Sequence, residues 1–172
     1  MAELADRADL PTPILIRRAT EADRPVLERL WLLFRHDMSA VTPTLPNPDG
    51  SFRSERLEAA LSESGWQAWL LTFGERPGGF AIIRGLDQPV RVLNSFFVVA
   101  GARGHGVGFD FARALLGEHP GRWDIAYQDE NPAAVRLWPA VAASLDASYT
   151  VERRAVPGVP DASPDVWVSL TV

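Results

Sequence analysis

Residues 95–116 read SFFVVAGARGHGVGFDFARALL, and the segment RGHGVG at 103–108 places three glycines and an arginine between two apolar runs. The run from Ser95 to Val99 is typical of a buried strand, and the apolar residues from Phe109 onward recur at helical spacing. A turn from the carboxyl end of a strand into the amino end of a helix directs several backbone N–H groups into one concavity, where the helix dipole adds positive charge. Glycines lack the Cβ atoms that would hold an anion away. The stretch therefore predicts an anion site, with a plain glycine-rich turn as the alternative.

The composition is that of one globular domain. The chain has 172 residues, of which 47% are hydrophobic and 23% charged, and we expect a single domain over 1–172 with a flexible segment at 1–12. It contains no cysteine, which excludes disulfides, thiolate metal sites and thiol nucleophiles. All 17 basic residues are arginine, which excludes Schiff-base chemistry on lysine.

The charge and the start of the chain bear on partners and location. A net charge of −5 argues against a nucleic-acid partner, because phosphate binding needs a basic face, and it favours a cationic or amine-bearing partner. The acidic start lacks the basic and apolar regions of a secretory signal, and no window holds the roughly 18 consecutive apolar residues of a membrane span. We therefore expect a cytoplasmic protein with no membrane partner.

Hydrophobic periodicity and turn residues predict the element order βααβββαβαββ, a mixed α/β sheet with helices packed on it. The predicted strands are 14–18, 66–73, 79–84, 91–99, 122–127, 147–156 and 165–172. Thr20 and Ser51 are predicted helix caps, and Pro139 is predicted to kink the last helix or end it early. Residues 157–164 are predicted to form a turn rich in proline and glycine.

The glycine loop fails two common phosphate-binding patterns but fits a third. A Walker loop needs a lysine, and G-x-G-x-x-G lacks its third glycine, with Phe109 or Phe111 in that place. The segment Arg103-Gly-His-Gly-Val-Gly108 instead resembles the [Gln/Arg]-x-x-Gly-x-[Gly/Ala] signature of the GCN5-related N-acetyltransferases (GNAT). The segment Asn131-Pro-Ala-Ala-Val-Arg-Leu-Trp138 resembles that superfamily's Asn-x-x-Ala-x-x-x-aromatic segment, and the predicted element order is similar.

Two short patterns, His36-Asp-x-Ser39 and Asp49-Gly-x-Phe52, further resemble a bacterial subgroup of the superfamily. The resemblance implies a GNAT-like fold: a central, mostly antiparallel, twisted sheet of six to seven strands with one splayed pair, flanked by about four helices. It implies that acetyl-CoA, or another acyl-CoA, binds as co-substrate, with no metal.

The resemblance also implies where the cofactor binds. The backbone of the strand before the loop would pair with the pantetheine arm, the loop would hold the diphosphate, and Asn131 would bond the arm. A solvated loop residue is the alternative for His105, and a helix N-cap the alternative for Asn131. The implied cofactor-binding residues are Phe96, Phe97, Val98, Arg103, Gly104, His105, Gly106, Val107, Gly108, Phe109 and Asn131.

The implied reaction is direct attack of a neutral amine on the thioester, without a covalent enzyme intermediate. The chain departs from the usual acid and base, because Trp138 stands where a tyrosine is common and Ser95 where a glutamate often precedes the strand. Ser95 and Tyr127 are therefore the candidate catalytic residues, with packing in the strand and in the core as their alternatives. His36 and Asp37, on the loop that covers the acceptor site in the superfamily, are candidate substrate-binding residues or else a solvated helix end.

The leading functional hypothesis is an N-acetyltransferase acting on the amine of a small molecule. A catalytically silent CoA-binding sensor or accessory protein of the same fold is the second hypothesis, motivated by Ser95 and Trp138. A nucleotide-binding domain is disfavoured by the two failed motifs. A homodimer formed through the C-terminal strands is an open alternative to a monomer.

Overall fold

The computed structural model describes residues 1–5, 10–155 and 163–172. Within these ranges the chain forms one eight-stranded sheet and four α-helices, so the mixed α/β class is confirmed and the sheet exceeds the six to seven strands expected. The strands are β1 Ala2–Leu4, β2 Ile14–Arg18, β3 Trp66–Phe73, β4 Arg76–Arg84, β5 Val90–Val98, β6 Arg122–Tyr127, β7 Thr150–Arg154 and β8 Asp165–Thr171. The helices are α1 Arg24–Ser39, α2 Glu55–Ser62, α3 Val107–Gly117 and α4 Pro132–Leu145.

The strands lie in the order β1-β2-β3-β4-β5-β6-β8-β7. Neighbouring strands are antiparallel except β5 and β6, which are parallel. A parallel pair needs a crossover connection, and α3 supplies it between β5 and β6. This crossover places the glycine loop at the carboxyl end of β5.

The start of α1 is tied to the sheet by an ion pair. The Asp23 carboxylate accepts hydrogen bonds from the Thr20 N–H at 2.9 Å and from Arg17 Nη2 at 2.6 Å. The apolar residues of α1 then recur at helical spacing and are buried, which fixes the helix on the sheet. These buried residues are Leu27, Leu30, Trp31 and Phe34.

Both faces of the sheet carry apolar cores, each covered by two helices. On the α1/α2 face, Phe80, Ile82 and Phe97 of the sheet pack beneath α1 and α2. On the α3/α4 face, Phe111 of α3 and Trp138 of α4 pack on the sheet. Burying a large apolar side chain stabilises the fold by about 1.5–3 kcal/mol. The two cores therefore hold β4 and β5 as a rigid support for the loop that follows.

Two helix boundaries differ from the sequence predictions. The second helix begins at Glu55 rather than after Ser51, because the Ser51 hydroxyl bonds Asp49 Oδ1 at 2.7 Å and does not cap the helix. The last helix runs through Pro139 to Leu145, because burial of the flanking side chains holds it on the sheet despite the missing N–H.

Near the two ends of the chain, the predicted segments correspond only in part to described elements. Within the segment 1–12, expected to be flexible, Ala2–Leu4 form β1, which pairs with β2, and residues 6–9 lie outside the described residues. The strand predicted at 147–156 is observed at Thr150–Arg154. Residue 156 and most of the turn predicted at 157–164 lie outside the described residues, which resume at 163. Among the helices the structure describes, none is long and apolar enough to cross a membrane.

Candidate functional site

A groove opens in the sheet where β5 and β6 separate. Their paired residues end at Leu93 opposite Ile125, although β5 continues to Val98 and β6 to Tyr127. A β-bulge lies at this point, because Ile82 and Ile83 of β4 oppose Ser95 and Leu93 and leave Asn94 as the extra residue. A bulge bends and twists its strand, which explains why β5 leaves β6 here. The splayed strand pair is thus present between β5 and β6.

Alternate residues of β5 direct their backbone groups into this groove. The Val99 N–H donates to the Gly78 carbonyl on the β4 side at 2.8 Å. Because successive residues of a strand face opposite neighbours, Phe97 and Ser95 also direct their backbone groups to β4, whereas Phe96 and Val98 direct theirs to the groove. Of the three residues expected to pair with a pantetheine arm, Phe96 and Val98 therefore have the required orientation, and Phe97 does not.

The glycine loop presents, at the end of the groove, N–H groups that bond to no described residue. Gly104 and Gly106 have φ of +84° and +78°, a left-handed conformation that glycine adopts without steric cost. The first backbone bond of the turn into α3 is that from the Asp110 N–H to the Gly106 carbonyl, at 3.1 Å. No hydrogen bond with any described residue takes the N–H groups of Gly104, Gly106, Val107, Gly108 and Phe109. These donors lie at a helix N-terminus, where the dipole favours an anion.

The side chains around the loop leave room on the groove side. A Cβ added to Gly104 would meet no atom within 4 Å, and one added to Gly108 would meet Val98 Cγ2 at 3.9 Å and Phe96 Cε1 at 4.0 Å. The Val107 side chain is buried in the core, so it contributes only its backbone to the loop. His105 and Phe109 are half-buried beside it. The loop therefore offers a surface of main-chain donors rather than of side chains.

Arg103 joins the loop to α1, a contact that the sequence does not predict. Its Nε donates to the Val98 carbonyl at 2.8 Å, and its Nη2 forms a short ion pair with Asp37 Oδ2. The guanidinium also lies 5.5 Å from the centroid of the Phe97 ring. Asp37, predicted as a substrate-binding residue, is thus brought to the cofactor loop, while the neighbouring His36 side chain is 85% exposed. Because Arg103 bonds the groove-facing carbonyl of Val98, the groups of β5 that still face the groove for a ligand are the Val98 N–H and the N–H and carbonyl of Phe96.

Aromatic side chains line the α3/α4 side of the groove. The Phe96 ring lies 4.9 Å from Phe111 and 5.1 Å from Trp138, the latter edge-on. Asn131 caps α4, with Oδ1 accepting from the Ala134 N–H at 3.2 Å. Asn131 therefore acts as the N-cap of α4, and its single side-chain oxygen is used in that bond.

The two candidate catalytic residues lie on opposite faces of the sheet. Ser95 is 5% exposed and shares the α1/α2 face with Phe97. Among the described residues, its hydroxyl bonds only Asn94 Oδ1, at a long 3.4 Å. Tyr127 is buried on the α3/α4 face, two residues beyond the last β5–β6 pair. Burial, with Asp129 adding a smaller effect, raises the pKa of Tyr127. Its phenol therefore stays protonated near neutral pH.

Comparison with solved structures identifies proteins of similar fold. No protein-family model matches the chain, and no curated protein matches it. An acetyltransferase from Thermus thermophilus superposes with a TM-score of 0.67 at 17% identity, covering 95% of this chain and 99% of that one. A GNAT-family acetyltransferase from Staphylococcus aureus gives a TM-score of 0.64 at 15% identity, covering 92% and 98%.

A third solved structure contains the expected coenzyme. The ribosomal L7/L12 alpha-N-protein acetyltransferase in complex with coenzyme A superposes with a TM-score of 0.65 at 15% identity, covering 95% of this chain and 96% of that one. Identities this low establish a common fold and leave ligand and reaction to be argued from the chain's own residues.

Proposed function

We propose that this chain, whose fold is that of the GCN5-related N-acetyltransferases, transfers an acyl group, most simply acetyl, from acyl-CoA to the amine of a small molecule. The proposal rests chiefly on the groove between β5 and β6, which ends on five N–H groups of the glycine loop that bond to no described residue. An extended ligand with amides along its length and phosphates at one end would match the backbone groups of β5 along the groove and the N–H groups of the loop at its end.

In this proposal the groove binds the coenzyme through its backbone. Phe96 and Val98 pair with the pantetheine amides as a neighbouring strand would, and the N–H groups of residues 104–109 bind the diphosphate. Charge-assisted hydrogen bonds of this kind are roughly twice as strong as neutral ones, and the dipole of α3 adds about 0.3–1 kcal/mol. Arg103 positions the turn, and Asn131 borders the arm from the start of α4.

Bound acyl-CoA supplies an acyl carbon activated as a thioester. The protein orients the amine against that carbon, and a groove-facing N–H of β5 polarises the carbonyl oxygen. We assign Tyr127, whose phenol is protonated near neutral pH, as the proton donor to the departing sulfur, and it regains a proton from solvent after transfer. Ser95, beside the bulge at Asn94, orients a water through which the amine proton passes to solvent.

A catalytically silent CoA-binding protein is the second candidate. Trp138 stands where a tyrosine is common in the superfamily, and its ring packs edge-on against Phe96 rather than offering an acid to the groove. The Ser95 hydroxyl is a poor base, and its hydrogen-bond contact is long. Binding without turnover is the outcome that would favour this candidate.

Two measurements separate these candidates. Calorimetry gives the affinity for acetyl-CoA, and a thiol reagent detects free CoA released in the presence of an amine panel. Because the chain has no cysteine, the reagent has no protein thiol to titrate. Amine-dependent release supports the acyltransferase, binding without release supports the silent protein, and absence of binding contradicts both.

A further inference from the structure

Four arginines gather on the α1/α2 face, and we call them the arginine cluster: Arg35, Arg53, Arg56 and Arg84. They come from α1, the segment before α2, α2 itself and the end of β4. The Trp31 Nε1–H donates to the Arg53 carbonyl at 2.9 Å, which fixes the segment before α2 against α1. Desolvation lowers the pKa of Arg56, and the positive charges of Arg35, Arg84 and Arg53 lower it further. The other three guanidinium groups therefore lie within electrostatic range of Arg56, and Arg53 and Arg56 are both exposed to solvent.

Three members of the cluster have no carboxylate partner among the described residues. Arg53 pairs with Glu55 at 3.0 Å, but Arg35, Arg56 and Arg84 form no ion pair there. Arg35 Nε is buried without a hydrogen-bond partner, and its guanidinium lies 5.6 Å from the centroid of the Phe52 ring.

The excess of positive charge around Arg56 is local, because acidic residues outnumber basic ones by 22 to 17 over the chain. Some arginines elsewhere pair closely with aspartates, as Arg17 does with Asp23 and Arg154 with Asp124, both at 2.6 Å, whereas others, such as Arg29, form no ion pair with a described residue. Glu55, which pairs with Arg53 and lies within electrostatic range of Arg35, offsets part of this charge. The remaining like charges repel one another, which destabilises the folded protein. A bound anion would remove this cost.

The cluster borders the side of the groove on which Ser95 lies. Arg84 follows Ile82 on the same face of β4, and Ile82 pairs directly with Ser95. Ala126 and Trp167, on this face of β6 and β8, are only half-buried, so α1 and α2 do not fully cover this part of the sheet. The Arg154 guanidinium lies 4.7 Å from the centroid of the Trp167 ring. Asp165, on the same face of β8, opposes the lowering of the Arg56 pKa and therefore lies within electrostatic range of that guanidinium. Its Oδ1 accepts a hydrogen bond from Gln128 Nε2 at 2.8 Å.

We infer that the acceptor of the proposed transfer is a small amine bearing a carboxylate, which the arginine cluster binds. The inference rests on the proposed function for the presence of an acyl donor in the groove. A guanidinium presents a planar fork of donors that matches a carboxylate, and several together select an anion over a neutral or cationic amine. Asp165, across the open side, is placed to attract the ammonium end of such a zwitterion. The net charge of the chain, which favours a cationic acceptor, is thus reversed locally at this site.

The test compares amino acids with their C-terminal amides as acceptors. The amine of the amide is less basic, so without carboxylate recognition the amide would be the faster acceptor. We expect kcat/KM to favour the acids by at least about tenfold, the effect of about 1.4 kcal/mol. Arg56→Gln should remove most of this preference and leave the dissociation constant of acetyl-CoA unchanged. Arg29→Gln, which removes the same charge from an exposed position of α1, should change neither.

Protein stability distinguishes recognition from a structural role. Arg56→Gln removes repulsion, so its unfolding midpoint should equal or exceed that of the wild type. Equal use of acids and amides, a preference for polyamines, or a preference that survives in Arg56→Gln would overturn the inference while acyl transfer stood. Failure to bind acetyl-CoA, or binding with no transfer to any amine, would instead overturn the proposed function.

Discussion

Replacing Gly108 with aspartate would place a carboxylate in the proposed diphosphate site without straining the backbone. Gly108 is the second residue of α3 and lacks the positive φ of Gly104 and Gly106. A Cβ at this position makes only ordinary contacts, the nearest at 3.9 Å. An acidic residue in the first turn of a helix is favourable, and any helix former improves on glycine. We therefore expect Gly108→Asp to fold with unchanged stability or to gain up to about 1 kcal/mol.

The expected loss of CoA affinity follows from Coulomb's law. A carboxylate about 5 Å from one phosphate charge costs about 3 kcal/mol at an effective dielectric constant of about 20. That penalty corresponds to a loss of affinity of more than about 100-fold. Gly108→Ala adds the Cβ without the charge, and the superfamily signature that the loop resembles allows alanine here. Its affinity should stay within about threefold of the wild type.

Isothermal titration calorimetry with acetyl-CoA and urea unfolding of each variant check this prediction together. Gly117→Asp adds the same charge at the other end of α3, where a Cβ meets no atom within 4 Å, and should leave the affinity unchanged. Full affinity in a well-folded Gly108→Asp protein would refute the placement of the diphosphate at this loop.

Three further predictions concern the loop, the proton donor and the fold. Arg103→Ala, which removes the bond to the Val98 carbonyl, should weaken CoA binding about tenfold by calorimetry, whereas Arg103→Gln should lose less; equal losses would show that the donor is irrelevant. Tyr127→Phe should lower kcat at least about tenfold at unchanged CoA affinity, and an unchanged kcat would remove Tyr127 from the mechanism. Asp23→Asn should lower the free energy of unfolding in urea by about 1–3 kcal/mol at pH 7, because it breaks the pair with Arg17. Arg17 holds the pKa of Asp23 well below its usual value. The extra stability of the wild type over Asp23→Asn is therefore present above about pH 4 and is lost as the pH falls further. A difference in the free energy of unfolding that persists in strong acid would contradict this cause.

The sequence predicts the elements around the groove because their signals are local. Apolar runs, glycines and proline caps act over a few residues, and β5, the loop and α3 lie close to their predicted positions. The strand β1 is not predicted, because Ala-Glu-Leu is too short to show an alternating pattern and owes its conformation to pairing with β2. The start of α2 is misplaced in the prediction because the Ser51 hydroxyl bonds Asp49 instead of capping the helix.

The chemistry of the site depends on contacts that no local pattern reveals. Asp37 and Arg103 are 66 residues apart, and both belong to common, exposed residue types. The same holds for Arg35 and Arg84, which approach Arg56 only because α1, α2 and β4 pack on one face. Overall charge is a poor guide to such a site, since it averages over the surface.

Amide shifts of the glycines report most directly whether the loop binds a coenzyme diphosphate. The chain has 13 glycines, so protein labelled with nitrogen-15 on glycine alone gives a simple spectrum. Titration with acetyl-CoA should move the signals of Gly104, Gly106 and Gly108 and leave those of Gly50 and Gly117 in place. Saturable shifts confined to Gly65 and Gly85, at the opposite end of the sheet, would contradict binding at the loop.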